Sequence, residues 1–233
     1  MYEIIPSPGT TDKEWPAIEK KIASVKPFAK TIHIDVCDGK FANNTTFAAP
    51  EMFKDLTKEL PSGLRGQMVG EKGLVFEVHL MVEDPIRYLK PWADAGFHRF
   101  IGQIEKMPDQ EEFVAQAQLL GEVALAIDKQ TPVDAIKVNL EDLDALLIMT
   151  IQAGFSGQAF EESLVTKVKE ARAKNEYLPI EVDGGINDET IEIAATAGAN
   201  RFVATSFLFG MDTPETQFKL LEEKLKALTL KSS

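Results

Sequence analysis

The chain has 233 residues, of which 44% are hydrophobic and 27% charged, and its formal net charge is -12. This length fits one compact α/β barrel domain, and the acidic charge without a basic stripe argues against nucleic-acid binding. The single cysteine, Cys37, excludes an internal disulfide and favours a reducing compartment.

The first residues do not show the pattern expected of a signal peptide. The first residues, MYEIIPS, lack the basic region, apolar core and cleavage site of a signal peptide. No apolar stretch approaches the length needed to span a bilayer. We therefore expect a cytoplasmic protein without a membrane partner.

Eight short apolar runs bounded by turn residues predict β-strands. They cover residues 2–6, 31–37, 75–82, 99–105, 122–128, 145–151, 180–184 and 201–206. Amphipathic, charge-rich segments predict helices at residues 11–25, 50–59, 85–95, 110–120, 132–138, 161–174, 188–198 and 213–228. This strict alternation predicts a parallel (β/α)8 TIM barrel. We expect one domain over residues 1–233, with the barrel at about 2–210 and the C-terminal helix at about 213–228.

Local signals support several of these boundaries. Asp84-Pro85 and the segment beginning at Asn187 are typical of helix starts, and Gly96 and Gly198 fall where helices should end. Residues 61–73 carry four glycines and no periodicity, which predicts a long surface loop before the third strand.

Four polar residues lie at or near the downstream ends of predicted strands: His33, Asp35, His79 and Asp183. In a (β/α)8 barrel these strand ends carry the chemistry. His33 and Asp35 are two residues apart on one strand, so they share a face, while Ile34 and Val36 point the other way. With few other polar residues expected on these strands, the sequence predicts a divalent metal site that also contains an acid and a base.

Each of these residues alone also has a structural interpretation. His33 and Asp35 could form a hydrogen-bonded pair, and His79 could be a satisfied core histidine. Asp183, followed by Gly-Gly, could simply make a turn. The joint position on three strands favours the metal site. His98 lies at a helix-to-strand junction at the opposite end, where we expect a surface residue without a functional role.

Glycine-bearing turns follow the sixth and seventh predicted strands. Glycines let backbone N–H groups approach an anion, and barrels often bind phosphate after strands seven and eight. Tight βα turns would need the same glycines. The candidate phosphate-binding residues are Gly154, Phe155, Ser156, Gly157, Gly184, Gly185, Thr205 and Ser206.

Six strings in fixed order make the chain resemble the ribulose-phosphate 3-epimerase family, from about Ile4 to Gly210. They are Pro6-Ser7, HIDVCDGKFANNTT, VHLMVEDP, MTIQAGFSGQAF, IEVDGGIN and AGANRFVATS. The resemblance implies that His33, Asp35, His79 and Asp183 bind one divalent metal ion and that the two aspartates also transfer protons. It further implies substrate contacts by Ser7 and Asn44 and an apolar wall of Met81 and Met149, although ordinary barrel core explains the methionines equally well.

The chain departs from the family pattern at several positions. Ser156 stands where glycine is customary, Lys129-Gln130 replaces a common Pro-Gly, and Gln103 replaces a frequent histidine. Thr205-Ser206 stands for Gly-Ser, and Cys37 for a usual methionine. These changes spare the four predicted ligands, so they bear on substrate preference and turnover more than on the class of reaction.

The resemblance implies a metal-dependent isomerase that interconverts D-ribulose 5-phosphate and D-xylulose 5-phosphate through an enediolate, in pentose phosphate metabolism. A ketohexose-6-phosphate 3-epimerase, acting for example on allulose 6-phosphate, is the alternative. A phosphosugar-binding regulatory barrel with impaired catalysis is an alternative of another class. Relatives that are decarboxylases use an Asp-x-Lys-x-x-Asp arrangement, whose lysine is missing from EVHLMVED.

The cofactor and the assembly state are less sharply defined. Two histidines and two carboxylates suit Zn²⁺, Fe²⁺, Mn²⁺ or Co²⁺ without choosing among them. The partner that the resemblance implies is a small phosphosugar, and family members are commonly dimers or larger homo-oligomers.

Overall fold

The computed structural model describes residues 1–57, 74–210 and 212–231. Eight parallel strands form one sheet in the order β1-β8-β7-β6-β5-β4-β3-β2, which makes a nearly closed barrel. The strands are β1 Glu3–Pro6, β2 Thr31–Cys37, β3 Val75–Met81, β4 Arg99–Gln103, β5 Glu122–Ile127, β6 Ala145–Met149, β7 Ile180–Asp183 and β8 Arg201–Ala204. The predicted (β/α)8 fold is confirmed, with every predicted strand in place.

Helices surround the barrel. They are α1 Trp15–Val25, α2 Lys54–Thr57, α3 Ile86–Asp94, α4 Gln110–Gln118, α5 Val165–Lys174, α6 Thr190–Ala197, α7 Ser206–Phe209 and α8 Pro214–Lys231. Short 3₁₀ turns precede α2 at Pro50–Phe53 and α5 at Glu162–Leu164. Within the described residues, no helix combines the length and the apolar character needed to cross a membrane.

Two expectations about elements were wrong. Residues 132–138 form no α-helix but contain the 3₁₀ turn Val133–Ala135, because Pro132 is extended and only three residues follow in the turn. Strand β8 ends at Ala204, so Thr205 and Ser206 do not end a strand; Ser206 begins α7, a helix that the sequence did not predict. The expected loop at 61–73 lies outside the described residues.

The helix boundaries follow the expected local chemistry. Asn187 Oδ1 accepts hydrogen bonds from the backbone N–H groups of Glu189 and Thr190 at 2.9 Å, which satisfies free donors at the start of α6. Gly198 ends α6 with φ at +115°, a left-handed conformation that favours glycine.

Strand parity separates two apolar regions. One side of each strand packs against the helices, as Ile34, Val36 and Phe100 do. The other side points into the barrel, where Ile101, Leu147 and other apolar residues form a second cluster. His33 and Asp35 have the parity opposite to Ile34 and Val36, so they point inward as predicted.

Side chains connect β1 to β2, where the barrel lacks a backbone ladder. Thr31 donates from Oγ1 to Glu3 Oε1 at 2.6 Å at one end. Ser7, directly after β1, donates from Oγ to Asp35 Oδ2 at 3.0 Å at the other. Side-chain hydrogen bonds therefore link β1 to β2 at both ends, and the buried one from Ser7 lies at the predicted site.

Candidate active site

Three strand ends bring the predicted ligands together inside the barrel. The register between β2 and β3 places Asp35 opposite His79. His33 lies two residues earlier on β2, deeper in the barrel. Asp183 ends β7, beside Met149 of β6 and Val203 of β8. One potential ligand atom from each of His33, Asp35, His79 and Asp183 lies within 4.8 Å of the others. The structure therefore groups all four predicted residues.

The two imidazoles turn one nitrogen each toward Asp35. His33 Nε2 and His79 Nδ1 both lie 3.3 Å from Asp35 Oδ1. The remaining nitrogens have other partners: His33 Nδ1 lies 2.8 Å from Glu77 Oε1, and His79 Nε2 lies 2.6 Å from Gln103 Oε1. These outer acceptors favour a proton on the nitrogen that faces away from the cluster.

The donor set fits a divalent cation of the zinc or iron type. Two imidazole nitrogens and two carboxylates form a mixed nitrogen and oxygen site. His33 Nε2 is buried and makes no hydrogen bond in the described part of the chain, although it points at the cluster. A cation among these atoms would supply the partner that this nitrogen lacks.

Burial and charge separate the two aspartates. Burial opposes the ionisation of Asp35, but the positive charge of the neighbouring His33 outweighs it and holds the pKa of Asp35 well below its usual range. Burial, reinforced by the negative charge of Asp35, raises the pKa of Asp183 to about 7. The pair thus joins an ionised carboxylate to one that exchanges its proton near neutral pH.

A cleft opens above these residues at the carboxyl ends of the strands. Its lining includes Asp35 and Asp183 and almost every other residue predicted for substrate binding, whereas Ser7 and Asn44 lie outside it. The predicted lining residues are Met81, Met149, Gly154, Phe155, Ser156, Gly157, Gly184, Gly185, Thr205 and Ser206. Thr10, Ile151, Ile186 and Val203 complete the lining and were not predicted.

Apolar side chains form the wall behind the two carboxylates. Met81 and Met149 are 1% and 2% exposed and pack with Cys37 and Ile151 in the inner cluster. Burial raises the pKa of the Cys37 thiol to about 12, so this sulfur remains a neutral part of the wall. Such a wall limits the access of water to the two carboxylates.

Ser7 and Asn44 form hydrogen bonds to neighbouring groups in this structure. Ser7 is fully buried and holds Asp35 Oδ2. Asn44 donates from Nδ2 to the backbone oxygen of Gly154 at 2.7 Å and accepts from Lys13 Nζ at 2.7 Å. The loop after β2 is thereby joined to the loop after β6.

Ser156 forms a second link across the cleft, which we call the Thr10–Ser156 clasp. The backbone N–H of Thr10 donates to Ser156 Oγ at 3.0 Å, and the backbone N–H of Ser156 donates to Thr10 Oγ1 at 2.8 Å. The two hydroxyls are 3.1 Å apart. The serine that replaces the customary glycine therefore connects the loops after β1 and β6.

A buried layer of charged residues lies directly below the cluster and was not predicted. It contains Glu77, Arg99, Glu181 and Arg201, each at most 9% exposed. The signal was present in the sequence, because Glu77 precedes His79 by two residues and Glu181 precedes Asp183 by two. The expectation of few other polar residues on these strands was therefore wrong. His98, expected at the surface, is half-buried.

A scan against protein-family models matches residues 10–209 to the ribulose-phosphate 3-epimerase family. The chain is also 34% identical to the ribulose-phosphate 3-epimerase of Candida glabrata over 203 aligned residues. This alignment covers 85% of this chain and 82% of that protein. The chain belongs to this family. Membership makes it an isomerase, an epimerase that acts on carbohydrates.

Further comparisons agree with the family assignment. Over 209 residues the chain is 33% identical to the ribulose-phosphate 3-epimerase, cytoplasmic isoform, of Oryza sativa, with 88% of this chain and 86% of that protein covered. The crystal structure of KGPDC from Streptococcus mutans has a TM-score of 0.68, with coverage of 97% of this chain and 98% of that one. Because the sequence identity to this second protein is only 11%, the comparison supports the fold alone.

Proposed function

We propose that this epimerase interconverts D-ribulose 5-phosphate and D-xylulose 5-phosphate and that it depends on one divalent metal ion. The observation that carries the proposal is the single cluster formed by His33, Asp35, His79 and Asp183 at the base of the cleft. A cation held by these residues would act as a Lewis acid and stabilise the negative charge of the enediolate.

The two aspartates are suited to move the C3 proton. Inversion at C3 requires that a proton leaves one face of the carbon and that another proton returns to the opposite face. Asp35 and Asp183 come from different strands and both line the cleft. We assign them as the proton-transfer pair, with Ser7 fixing the orientation of Asp35 through its hydrogen bond.

The phosphate group of the substrate would lie at the far side of the cleft. Gly184 and Gly185 line the cleft with φ values of +122° and +67°, a conformation that favours glycine. Together with Thr205 and Ser206 they form its polar edge. We propose that backbone N–H groups of these turns bind the phosphate, because the protein as a whole is strongly acidic.

The aspartate roles predict a loss of turnover in the variants Asp35→Asn and Asp183→Asn. Each amide keeps the shape of the carboxylate but cannot carry the C3 proton, so we expect kcat to fall by at least about 10²-fold. Asp188→Asn is the matched control, because this change removes the same charge five positions along the chain from Asp183 at a residue that does not line the cleft. Epimerisation assays on both sugar phosphates measure the effect.

The same assay distinguishes the alternatives. A ketohexose 6-phosphate would be the better substrate if the altered loops after β5 and β6 widen the cleft, and kcat/KM for both sugars decides between them. Wild-type turnover in either Asp→Asn variant would contradict the assigned roles. Phosphosugar binding without turnover by the wild-type protein would support the regulatory alternative instead.

A further inference from the structure

Glu77 lies at the centre of the buried charged layer and contacts His33. Glu77 uses both of its carboxylate oxygens. Oε1 lies 2.8 Å from His33 Nδ1, whereas Oε2 accepts from Arg99 Nη1 at 2.6 Å and from Arg201 Nη2 at 2.9 Å. Glu77 therefore connects a predicted metal ligand to two guanidinium groups.

Strand register builds this arrangement. His33 of β2 lies opposite Glu77 of β3, and Glu77 lies opposite Arg99 of β4. On the other side of the barrel, Arg201 of β8 lies opposite Glu181 of β7. All of these side chains point inward, so the layer spans the barrel interior beneath the cleft.

The second nearby acid is less well placed to hold the histidine. Glu181 Oε1 lies 3.4 Å from His33 Nδ1 and makes no hydrogen bond in the described part of the chain, while Glu181 Oε2 accepts from Arg201 Nε at 2.8 Å. A donor–acceptor distance of 2.8 Å is typical of a charge-assisted hydrogen bond, whereas 3.4 Å is too long for a strong one. The geometry therefore favours Glu77 as the acceptor of the His33 proton.

We propose that Glu77 is a positioning residue that keeps the His33 proton on Nδ1 and leaves Nε2 free to bind the metal ion. Arg99 and Arg201 hold the carboxylate in place from the opposite side. This inference rests on the proposed metal-dependent function, and it assigns to the buried charged layer the role of fixing a ligand's tautomer as well as its position.

The variant Glu77→Gln tests the proposal because an amide has only one acceptor oxygen. Two guanidinium groups would compete for that oxygen, which turns the amide NH₂ toward His33 Nδ1. His33 Nδ1 must then accept, so its proton moves to Nε2, the nitrogen that should bind the metal. We expect the zinc affinity to fall about 10- to 100-fold.

Glu181→Gln is the matched control for the loss of charge. It removes a buried carboxylate from the same layer, close to the same histidine, but it leaves the shorter hydrogen bond to Glu77 intact. Zinc competition against a chromophoric chelator at fixed pH gives Kd for wild type and both variants. We expect a change below about threefold for Glu181→Gln; equal losses in the two variants would overturn the positioning role and indicate a general effect of charge.

A measurement on the wild-type protein keeps the proposal testable if Glu77→Gln does not fold. Nitrogen-15 NMR of the zinc-loaded protein should show His33 bound to zinc through Nε2, with a hydrogen-bonded proton on Nδ1. Zinc on Nδ1 would overturn the proposal. Tight zinc binding by wild type and Glu77→Gln alike would overturn this inference alone, whereas no zinc binding by the wild type would overturn the proposed metal site as well.

Discussion

Asp35 is the residue on which most of the site depends. Its Oδ2 accepts from Ser7, and its Oδ1 lies 3.3 Å from a nitrogen of each histidine. Burial in this setting would disfavour a carboxylate, but the positive charge of the neighbouring His33 outweighs it and holds the pKa of Asp35 well below its usual range. Asp35 is therefore ionised, which suits it to bind a cation.

Metal binding should become stronger as the pH rises. Without the metal, the pKa of Asp183 is about 7, and the pKa of His33 is well above its usual value because Asp35 and two glutamates outweigh its burial. Both groups must lose their protons to bind a cation. Below pH 7 both protons must be displaced, whereas above pH 7 Asp183 is already ionised, so the affinity should depend less steeply on pH there.

Cobalt(II) titrations between pH 6 and pH 8 measure this dependence. Affinity should rise with pH across this range, more steeply below pH 7 than above it. In Asp183→Asn the rise in affinity below pH 7 should be less steep, because position 183 no longer has a proton to lose. An affinity that does not change across this range would contradict the assignment of these residues as ligands.

At the level of elements, loops after three strands are joined above the cleft. The Thr10–Ser156 clasp connects the loops after β1 and β6, and Asn44 connects the loop after β2 to Gly154. These hydrogen bonds order the cleft before substrate arrives, which lowers the entropic cost of binding.

Ser156→Ala should weaken substrate binding more than it slows the chemistry. The change removes the oxygen that accepts from the Thr10 backbone, and one hydrogen bond of this type contributes about 0.5–1.5 kcal/mol. We expect KM to rise about two- to tenfold with kcat nearly unchanged, and amide exchange in residues 153–157 to become faster. The exposed Ser163→Ala is the control. A fall in kcat without a change in KM would contradict this role.

The sequence predicted the regular elements well and the irregular ones poorly. Apolar runs located all eight strands, because the strand faces that pack against the helices are hydrophobic. The helix expected at 132–138 does not form, because Pro132 is extended and the residues after it make only a short 3₁₀ turn. Helix α7 was missed because four residues carry no periodic signal.

Part of the site could be predicted, because side chains two residues apart on a strand point to the same face. Strand parity placed His33 and Asp35 on one face, and family strings identified the partners. Parity also pointed Glu77 and Glu181 inward, but their pairing with Arg99 and Arg201 depends on contacts between distant strands. The clasp between Thr10 and Ser156 joins residues 146 positions apart, which no local pattern reveals.

At the scale of the whole molecule, the inward-facing polar side chains of the barrel form two layers. The lower layer pairs buried acids with Arg99 and Arg201, and the upper layer carries the His33, Asp35, His79 and Asp183 cluster at the base of the cleft. Buried ion pairs contribute little net stability, but they fix geometry when every partner is present. The cytoplasmic location, the single domain and the homo-oligomeric assembly remain predictions.

Transfer of solvent deuterium to C3 tests the central claim most directly. Protein stripped with a chelator and then reloaded with one equivalent of Zn²⁺, Fe²⁺, Mn²⁺ or Co²⁺ is incubated with D-ribulose 5-phosphate in D₂O. We predict that at least one loaded form yields xylulose 5-phosphate with deuterium at C3, and that the stripped protein and Asp183→Asn do not. Epimerisation without deuterium at C3, or equal exchange by the stripped protein, would contradict metal-dependent proton transfer by this site.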